Sequence, residues 1–575
     1  MSGTSPRPER VLALVPNSAE GWFNRGMTHI SAGDYSDAIS SFDRAIAGKP
    51  DFSQAHLARA KLLLDLRRPD DALESIDRLL AIASSLAEAW LGRSNILFEL
   101  ARHEEALAAC DRALTLKADL VEAWHGRGNV LHELKRHQEA ISAYNKALAL
   151  NPNFAGAWHG QGIVLYELKR YQDALVAYDK GLALRSDLAE AWLGRGNVLT
   201  ELNRYDEAFT AFDRALALRP DFVEAWVGRG NAFIQLRRPE MALASFDAAL
   251  TLKPDHAGAH WNKSSALLLF GDLETGWQEY EWRWETKDFP NKRPKINAPS
   301  WRGQDLTGRH VMVFSEQGLG DIIQFARYLP LLIERKAKVT FFTSKNLVRL
   351  LRSLGTQIDI VSDLGAKNVF DFQCALMSLP HCFNTNASSI PNKVPYLAAE
   401  GNLNCRWKER IDEAGFKIGI AWQGNPEGKV DKGRSIPLEE FIPLTYLPNV
   451  RLISLQKHHG LDHLTRLPSG VKIETLGDDF DSGPDAFIDT AAVINNLDVI
   501  ITSDTSIAHL AGALGRLTWV ALQYVPDWRW MLDRDDSPWY PTVRLFRQTE
   551  TRDWGDVVER VRSELDRRIA ALAQL

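Results

Sequence analysis

AEAWLGRGNVLTELNRYDEAFTAFDRALALRPDF, residues 189–222, is the stretch whose reading decides the fold, because its pattern returns every 34 residues. Trp22, Trp90, Trp124, Trp158, Trp192 and Trp226 stand on one ladder of that step, and His56 and His260 take the two rungs without tryptophan. Four residues past each rung comes a small residue, Gly26, Ala60, Ser94, Gly128, Gly162, Gly196, Gly230 or Ser264, where two helices can approach closely. The same register brings Ala38, Ala72, Ala106, Ala140, Ala174, Ala208 and Ala242, then Phe42, Ile76, Tyr144, Tyr178, Phe212 and Phe246. Pro50, Pro152, Pro220 and Pro254 close their units. Apolar residues at helical spacing in both halves of the unit, with a proline that cannot continue the second helix, give two amphipathic helices per repeat.

Over eight units, about residues 17–288, this pattern resembles tetratricopeptide repeats. The resemblance implies an α-solenoid, the tetratricopeptide superhelix, in which stacked helix pairs share a continuous core. Pro16 is in register with Pro50, so residues 1–16 read as an N-terminal tail or partial repeat. Large aromatics at helical spacing assign the Trp ladder to the core. Arg93, Arg127, Arg195 and Arg229 are expected to pair with aspartates such as Asp111, Asp179, Asp213 and Asp247, without chemistry.

Positions one residue past the Trp and the small residue project from the more open face of the first helix, the concave groove of such arrays. Here the face carries Asn95, Asn129, Asn197 and Asn231, flanked by His125, His132, His159 and Tyr166 and by Glu99, Glu133, Glu167 and Glu201. Amides both donate and accept, so a spaced row of asparagines suits the backbone of an extended peptide, which makes a protein or peptide acceptor one reading of the groove. The other is a solvated polar face with hydrogen bonds inside each repeat.

The composition narrows the class. At 575 residues the chain holds more than one core, and 45% hydrophobic with 25% charged residues is that of a folded soluble protein. No apolar run reaches the roughly 18 residues of a membrane span, and MSGTSPRPERVLALVP lacks a cleavage-like ending, so a cytoplasmic location is expected. Cys110, Cys374, Cys382 and Cys405 form no paired C-x-x-C cluster, which argues against disulfides and structural metal. A net charge of -6 argues against a nucleic-acid coat. Self-association is left open.

After the eighth unit, GWQEYEWRW (276–284) precedes Pro290, Pro294 and Pro299, and residues 289–308 read as a linker. Trp277, Tyr280, Trp282 and Trp284 are assigned to docking the array against the next domain. From Arg309 the text alternates short apolar runs with helical stretches: HVMVFS, DIIQFARYLPLLIERK, KVTFFTS, LVRLLRSL, IDIVS. A second start follows in FKIGIAWQG, VRLISLQ, AFIDTAAVINNL, DVIITSD, TSIAHLAGALG and LTWVALQ, with a terminal helix from about Asp553. This predicts an α/β region of two Rossmann-like lobes, 309–405 and 406–575, in the GT-B arrangement, with a ligand beyond the carboxyl ends of the strands.

Three groups carry candidate chemistry. Gln317, Gly318, Leu319, Gly320 and Asp321 lie between a strand and a helix, where Asp321 reads either as a general base or as an ordinary helix cap. Asp504, Thr505, Ser506 and His509 open a second helix whose amides suit a diphosphate, the alternative being a cap with a buried histidine. Gly424, Asn425, Arg434, Ser435, Gln456 and Lys457 occupy loops of the second lobe, with Gln423, Lys429, Lys432 and Gly433 beside them. Their cations suit a leaving diphosphate and Gln456 a base, unless they are solvated loop charge. Asp533 to Asp535 is too common a pattern to name a metal site.

The stretches GLGD (318–321) and SDTSIAHLAGALG (503–515) resemble the motifs of heptosyltransferase-like GT-B glycosyltransferases, over about residues 309–548. That resemblance implies Asp321 as catalytic base, Asp504, Thr505 and His509 as donor-binding, and Arg434 in KGRSIP as the phosphate contact, where relatives often carry lysine. Joined to the repeats, the chain is similar to bacterial protein or flagellin glycosyltransferases. The resulting expectation is inverting, metal-independent transfer from a nucleotide sugar to a protein acceptor, without a further cofactor. The rivals are a repeat scaffold with a degenerate nucleotide-binding domain and a saccharide-acceptor heptosyltransferase.

Overall fold

Sixteen helices follow one another from Ala19–Ala32 to Leu273–Tyr280 in a computed structural model whose described residues are 18–287, 289–365, 369–426 and 433–572. Residues 1–16 with Pro16, and Lys429 and Lys432, lie outside them. At Gly26, Gly128, Gly162 and Gly196 the small residue of the first helix receives the ring 16 positions later. A Cβ on Gly128 would stand 2.5 Å from the Tyr144 ring and one on Gly196 2.6 Å from Phe212, so glycine is what lets the rings lie flat on the helix. At two units a larger small residue goes with a smaller partner: Ala60 shares a cluster with Ile76, and Ser94 donates to the Ala106 carbonyl at 2.8 Å beside Cys110.

The tryptophans are half-buried rather than enclosed. Trp90, Trp124, Trp158 and Trp192 each pin a repeat boundary, donating the indole N–H to the carbonyl six residues back at 2.8 to 2.9 Å. This explains the two histidine rungs. His56 Nε2 lies 3.0 Å from the Pro50 carbonyl and His260 Nε2 2.9 Å from that of Pro254, so an imidazole N–H replaces the indole. The arginine ladder pairs with aspartates 16 residues earlier: Arg93 with Asp77, Arg127 with Asp111, Arg195 with Asp179 and Arg229 with Asp213. Asp247 pairs instead with Lys263. A further ladder of the same step lies in the backbone. Arg67, Ala101, Lys135, Lys169, Asn203 and Arg237 have φ of +54° to +60° where the first helix of the unit ends, and Gly33 and Gly271 continue the series.

The residues form two compact units, Met1–Ala232 and Phe233–Leu575. The second therefore takes in the last repeats as well as two parallel sheets. The first sheet has β1 (His310–Phe314), β2 (Lys338–Phe342), β3 (Ile358–Val361) and β4 (Phe372–Ala375) in the order β3-β2-β1-β4. The second has β5 (Phe416–Ala421), β6 (Val450–Ser454), β7 (Val499–Ser503), β8 (Thr518–Leu522) and β9 (Val543–Arg547) in the order β6-β5-β7-β8-β9. Both are parallel throughout, and β7 and β8 are buried at every residue, as strands covered on two faces are. β4 and β9 escape the sequence reading because FQCA and VRLFR are short and less continuously apolar. The helix Gly401–Ile411 crosses the expected lobe boundary at 405. Its Trp407 indole donates to Asp489 at 2.6 Å, which fastens it to the helix Ile488–Asn495. The terminal helix Trp554–Leu572 buries Val557, Val558, Val561 and Leu565 in one cluster with β5 residues Ile418 and Ile420.

Candidate functional site

In the second sheet the chain leaves β5 toward β6 on one side and leaves β7 toward β8 on the other, so a crevice opens between the loops that follow β5 and β7. A cavity of about 590 Å³ lies there. Of the candidate residues it is lined by Gln423, Gly424, Asn425, Gln456, Lys457, Thr505 and Ser506, with Leu319 and Asn346 contributed from the first lobe. Thr505 caps the helix Ser506–Ala513, its hydroxyl accepting the Ile507 N–H at 3.3 Å, and the start of that helix faces the cavity. Among the described residues, Gln423 Oε1 and Asn346 Oδ1 are buried acceptors without a hydrogen-bond partner. Gln456 is engaged differently from the base-reading role expected of it. Its oxygen accepts the Trp422 and Gln423 N–H groups at 3.1 and 3.2 Å and its nitrogen donates to the Gln423 carbonyl at 2.8 Å, so it fixes the loop after β5. Lys457 donates to the Phe480 carbonyl at 2.5 Å.

Gly318, Gly320, Asp321, Arg434, Ser435, Asp504 and His509 do not line this cavity. Several of them gather in an adjoining charged cluster. Asp321 opens the helix Leu319–Phe325, its Oδ2 accepting the Gly318 N–H at 2.7 Å, and its Oδ1 pairs with Arg529 from the loop beyond β8. Arg529 also holds Asp527 at 2.7 Å and lies over the Trp528 ring. Burial raises the Asp321 carboxyl above its ordinary value, against the pull of Arg529 and the Gly318 amide. Burial and the nearby Asp527 push Asp504 up to about 6, with Arg434 opposing. His509 stacks on Trp530 at 5.3 Å and 14° and meets the Tyr540 hydroxyl at 3.1 Å through Nδ1. Burial, then the charges of Arg529, Arg327 and Arg434, hold it well below the usual imidazole range, so it is neutral.

Gly320 acts in packing. A Cβ there would stand 3.0 Å from the His509 ring and 3.5 Å from the Ser506 backbone, so glycine lets the two helix starts touch. The sequence reading missed Arg529 and Asp527; the one local signal is Asp527 two residues before Arg529, where it accepts the Arg529 N–H at 3.0 Å. Among the described residues no group of three His, Cys, Asp or Glu is arranged for a metal ion, and Asp533 pairs with Arg237 at 3.5 Å.

In the array, Asn95 is exposed while Asn129, Asn197 and Asn231 are half-buried, and Asn129 accepts the Tyr144 hydroxyl at 2.8 Å. His132 lies 3.0 Å from Glu167, and His125 packs edge-on against Phe154. Asn129 is thus engaged inside its own repeat, while His132 reaches the next one.

Comparison with known proteins bears on the repeats. Protein FlbA of Caulobacter vibrioides is 24% identical over 326 residues, 53% of this chain and 54% of that protein, so the chain spans about half the length of the curated relative it matches. Among solved structures, YrrB, described as a TPR protein with an unusual peptide-binding site, shares 26% identity over 32% of this chain and 96% of its own, with a TM-score of 0.28. A tetratricopeptide repeat protein from Parabacteroides merdae shares 16% identity over 43% and 98%, with a TM-score of 0.37. Models of the tetratricopeptide repeat match residues 29–96, 87–120, 121–154, 143–176 and 227–280, and one described as TPR repeat matches 196–236. The chain accordingly carries tetratricopeptide repeats across residues ~29–280, followed by a region built on two parallel sheets.

Proposed function

We propose that the two-sheet region is a GT-B glycosyltransferase that moves a sugar, with inversion, from a nucleotide-sugar donor to a protein acceptor met by the repeats. The reading rests on one observation: a carboxylate from the first lobe, Asp321, stands beside a cavity at the switch point of the second sheet, where the helix starts Leu319–Phe325 and Ser506–Ala513 touch. The likeness to FlbA, at 24% identity, is compatible with it and adds no donor or acceptor.

In this mechanism the nucleotide occupies the cavity, its diphosphate on the amides of the helix capped by Thr505. Gln423 and Asn346 supply acceptors for the donor's N–H or O–H groups. The acceptor hydroxyl attacks the anomeric carbon and gives its proton to Asp321, while charge developing on the leaving diphosphate is met by the helix start and by Arg434. Burial makes the carboxylate more basic and so readier to take the proton, while Arg529 favours its ionised form.

The test is titration of the full chain with nucleoside diphosphates, followed by mass spectrometry of peptides after incubation with candidate nucleotide sugars. Binding together with a glycopeptide supports the reading, and binding without transfer or donor hydrolysis supports a scaffold instead. A saccharide-acceptor enzyme would be unaffected by Asn129→Ala and Asn197→Ala together, which should weaken transfer to protein.

A further inference from the structure

We propose that Tyr280 and Arg283, on the turn that ends the repeat array, are positioning residues for the loop that carries Asp321. The proposal rests on the reading of Asp321 as the base. Arg283 is wholly buried in the short helical turn Glu281–Glu285 and faces Glu316, itself buried, in a two-pronged pair at 2.8 and 3.0 Å. A bidentate pair fixes distance and angle together. The same pair reaches the end of the neighbouring edge strand: Arg283 donates to Ser378 Oγ at 2.8 Å, and Glu316 accepts the Met377 N–H at 3.0 Å, both just past β4, which pairs with β1.

The next residue, Gln317, has φ +64°, a left-handed conformation that a side-chain-bearing residue keeps only where its surroundings over-determine it. Its N–H donates to Asn291 Oδ1 at 3.0 Å, and its Nε2 donates to the Tyr280 hydroxyl at 2.5 Å. Tyr280 is buried edge-on against Trp277 and Trp528 and so is itself held. One residue further, the Gly318 N–H donates to Asp321 at 2.7 Å. Orientation therefore passes from Tyr280 and Arg283 through Glu316 and Gln317 to Gly318 and the carboxylate. The end of the array is part of the site's frame, and cutting the chain near residue 275 would disturb the base whatever the repeats recruit.

The experiment uses the full chain with Tyr280→Phe, Arg283→Lys and Arg283→Met. Tyr280→Phe should lower kcat about tenfold, as when a catalytic group loses part of its orientation, and leave KM for the nucleotide sugar within about twofold. Hydrogen exchange of amides 316–321 should quicken in Tyr280→Phe while the repeat helices and the second sheet keep their protection. Arg283→Lys should retain more activity than Arg283→Met. Unchanged kcat and unchanged exchange at 316–321 in Tyr280→Phe would overturn the proposal, as would a loss matched by faster exchange throughout the chain. The exchange readout is independent of sugar transfer, so a wild-type chain inert toward every donor defeats the functional reading, while protection at 316–321 still decides the role of Tyr280.

Discussion

The array and the two-sheet region place their charges by different rules. In the array, Arg127 reaches Asp111 across 16 residues, and the same geometry recurs at Arg93 and Arg195. Where the end of the array meets the two-sheet region, Arg283 reaches Glu316 across 33 residues, and within that region Arg529 reaches Asp321 across 208. The array pairs are half-exposed at Asp111, whereas neither side chain of the Arg283–Glu316 pair is exposed at all. Repetition makes many interchangeable contacts, each near water; a site assembled from distant loops concentrates its geometry in a few buried ones.

The sharpest break in this comparison is catalytic. Asp321→Asn should reduce sugar transfer by roughly 10²- to 10⁴-fold, the range of a general base, while nucleoside diphosphate affinity, measured by titration calorimetry, stays as it was. Intact transfer would remove Asp321 from its role.

The two kinds of ion pair come next. Arg283→Met strands Glu316 without its counter-charge and should cost about 3–5 kcal/mol of stability, whereas Arg127→Met should cost less than about 1 kcal/mol. Urea denaturation of the full chain, read by probes in each unit, measures both. Similar costs would dissolve the contrast.

A third prediction contrasts two glycines within one repeat. Gly128→Ala drives a methyl into the Tyr144 ring, where the Cβ would stand at 2.5 Å, and should destabilise by about 1–3 kcal/mol. Gly126→Ala meets nothing nearer than 3.6 Å, so the helix propensity of alanine should make it neutral or stabilising by up to about 1 kcal/mol. Thermal denaturation separates them.

The smallest effect is a slope. His509 titrates well below 6.5 in the folded chain, so above that pH neither state carries the proton and nothing is lost. As pH falls below 6.5 the unfolded chain takes up a proton that the folded one refuses, and stability declines by at most about 1.4 kcal/mol per pH unit. Asp504 acts in the opposite sense: its folded value of about 6 lies above 3.8, so its contribution is complete below 3.8 and is lost as pH rises through 6. The difference between wild type and His509→Phe between pH 7 and 5.5 isolates the histidine, and an unchanged slope would count against its neutrality.

Much of the array was legible because each contact recurs at a fixed offset: Gly128 with Tyr144, Arg127 with Asp111, and a proline after each of several units. The donor role of the histidine rungs was not, since the N–H to carbonyl bond at His56 shows only once the helix and the preceding turn are placed. In the two-sheet region the strand–loop–helix grammar located Thr505 and Asp321 at helix starts. It did not separate cavity residues from the charged cluster, so Asp504 and His509 were grouped with Thr505 although they turn into the cluster around Arg529.

By itself the sequence determined the 34-residue step and the alternation of apolar strands and helices, since hydrophobic periodicity and proline placement act over a few turns of chain. Tertiary structure alone decided which side chains meet: Arg529 with Asp321, Tyr280 with Gln317, Gly320 with His509. Those partners belong to different strand ends or to the turn after the repeats, and no local spacing encodes a neighbour 208 residues away. Burial then sets their charge, because the energy of a carboxylate depends on how much water and which cations surround it.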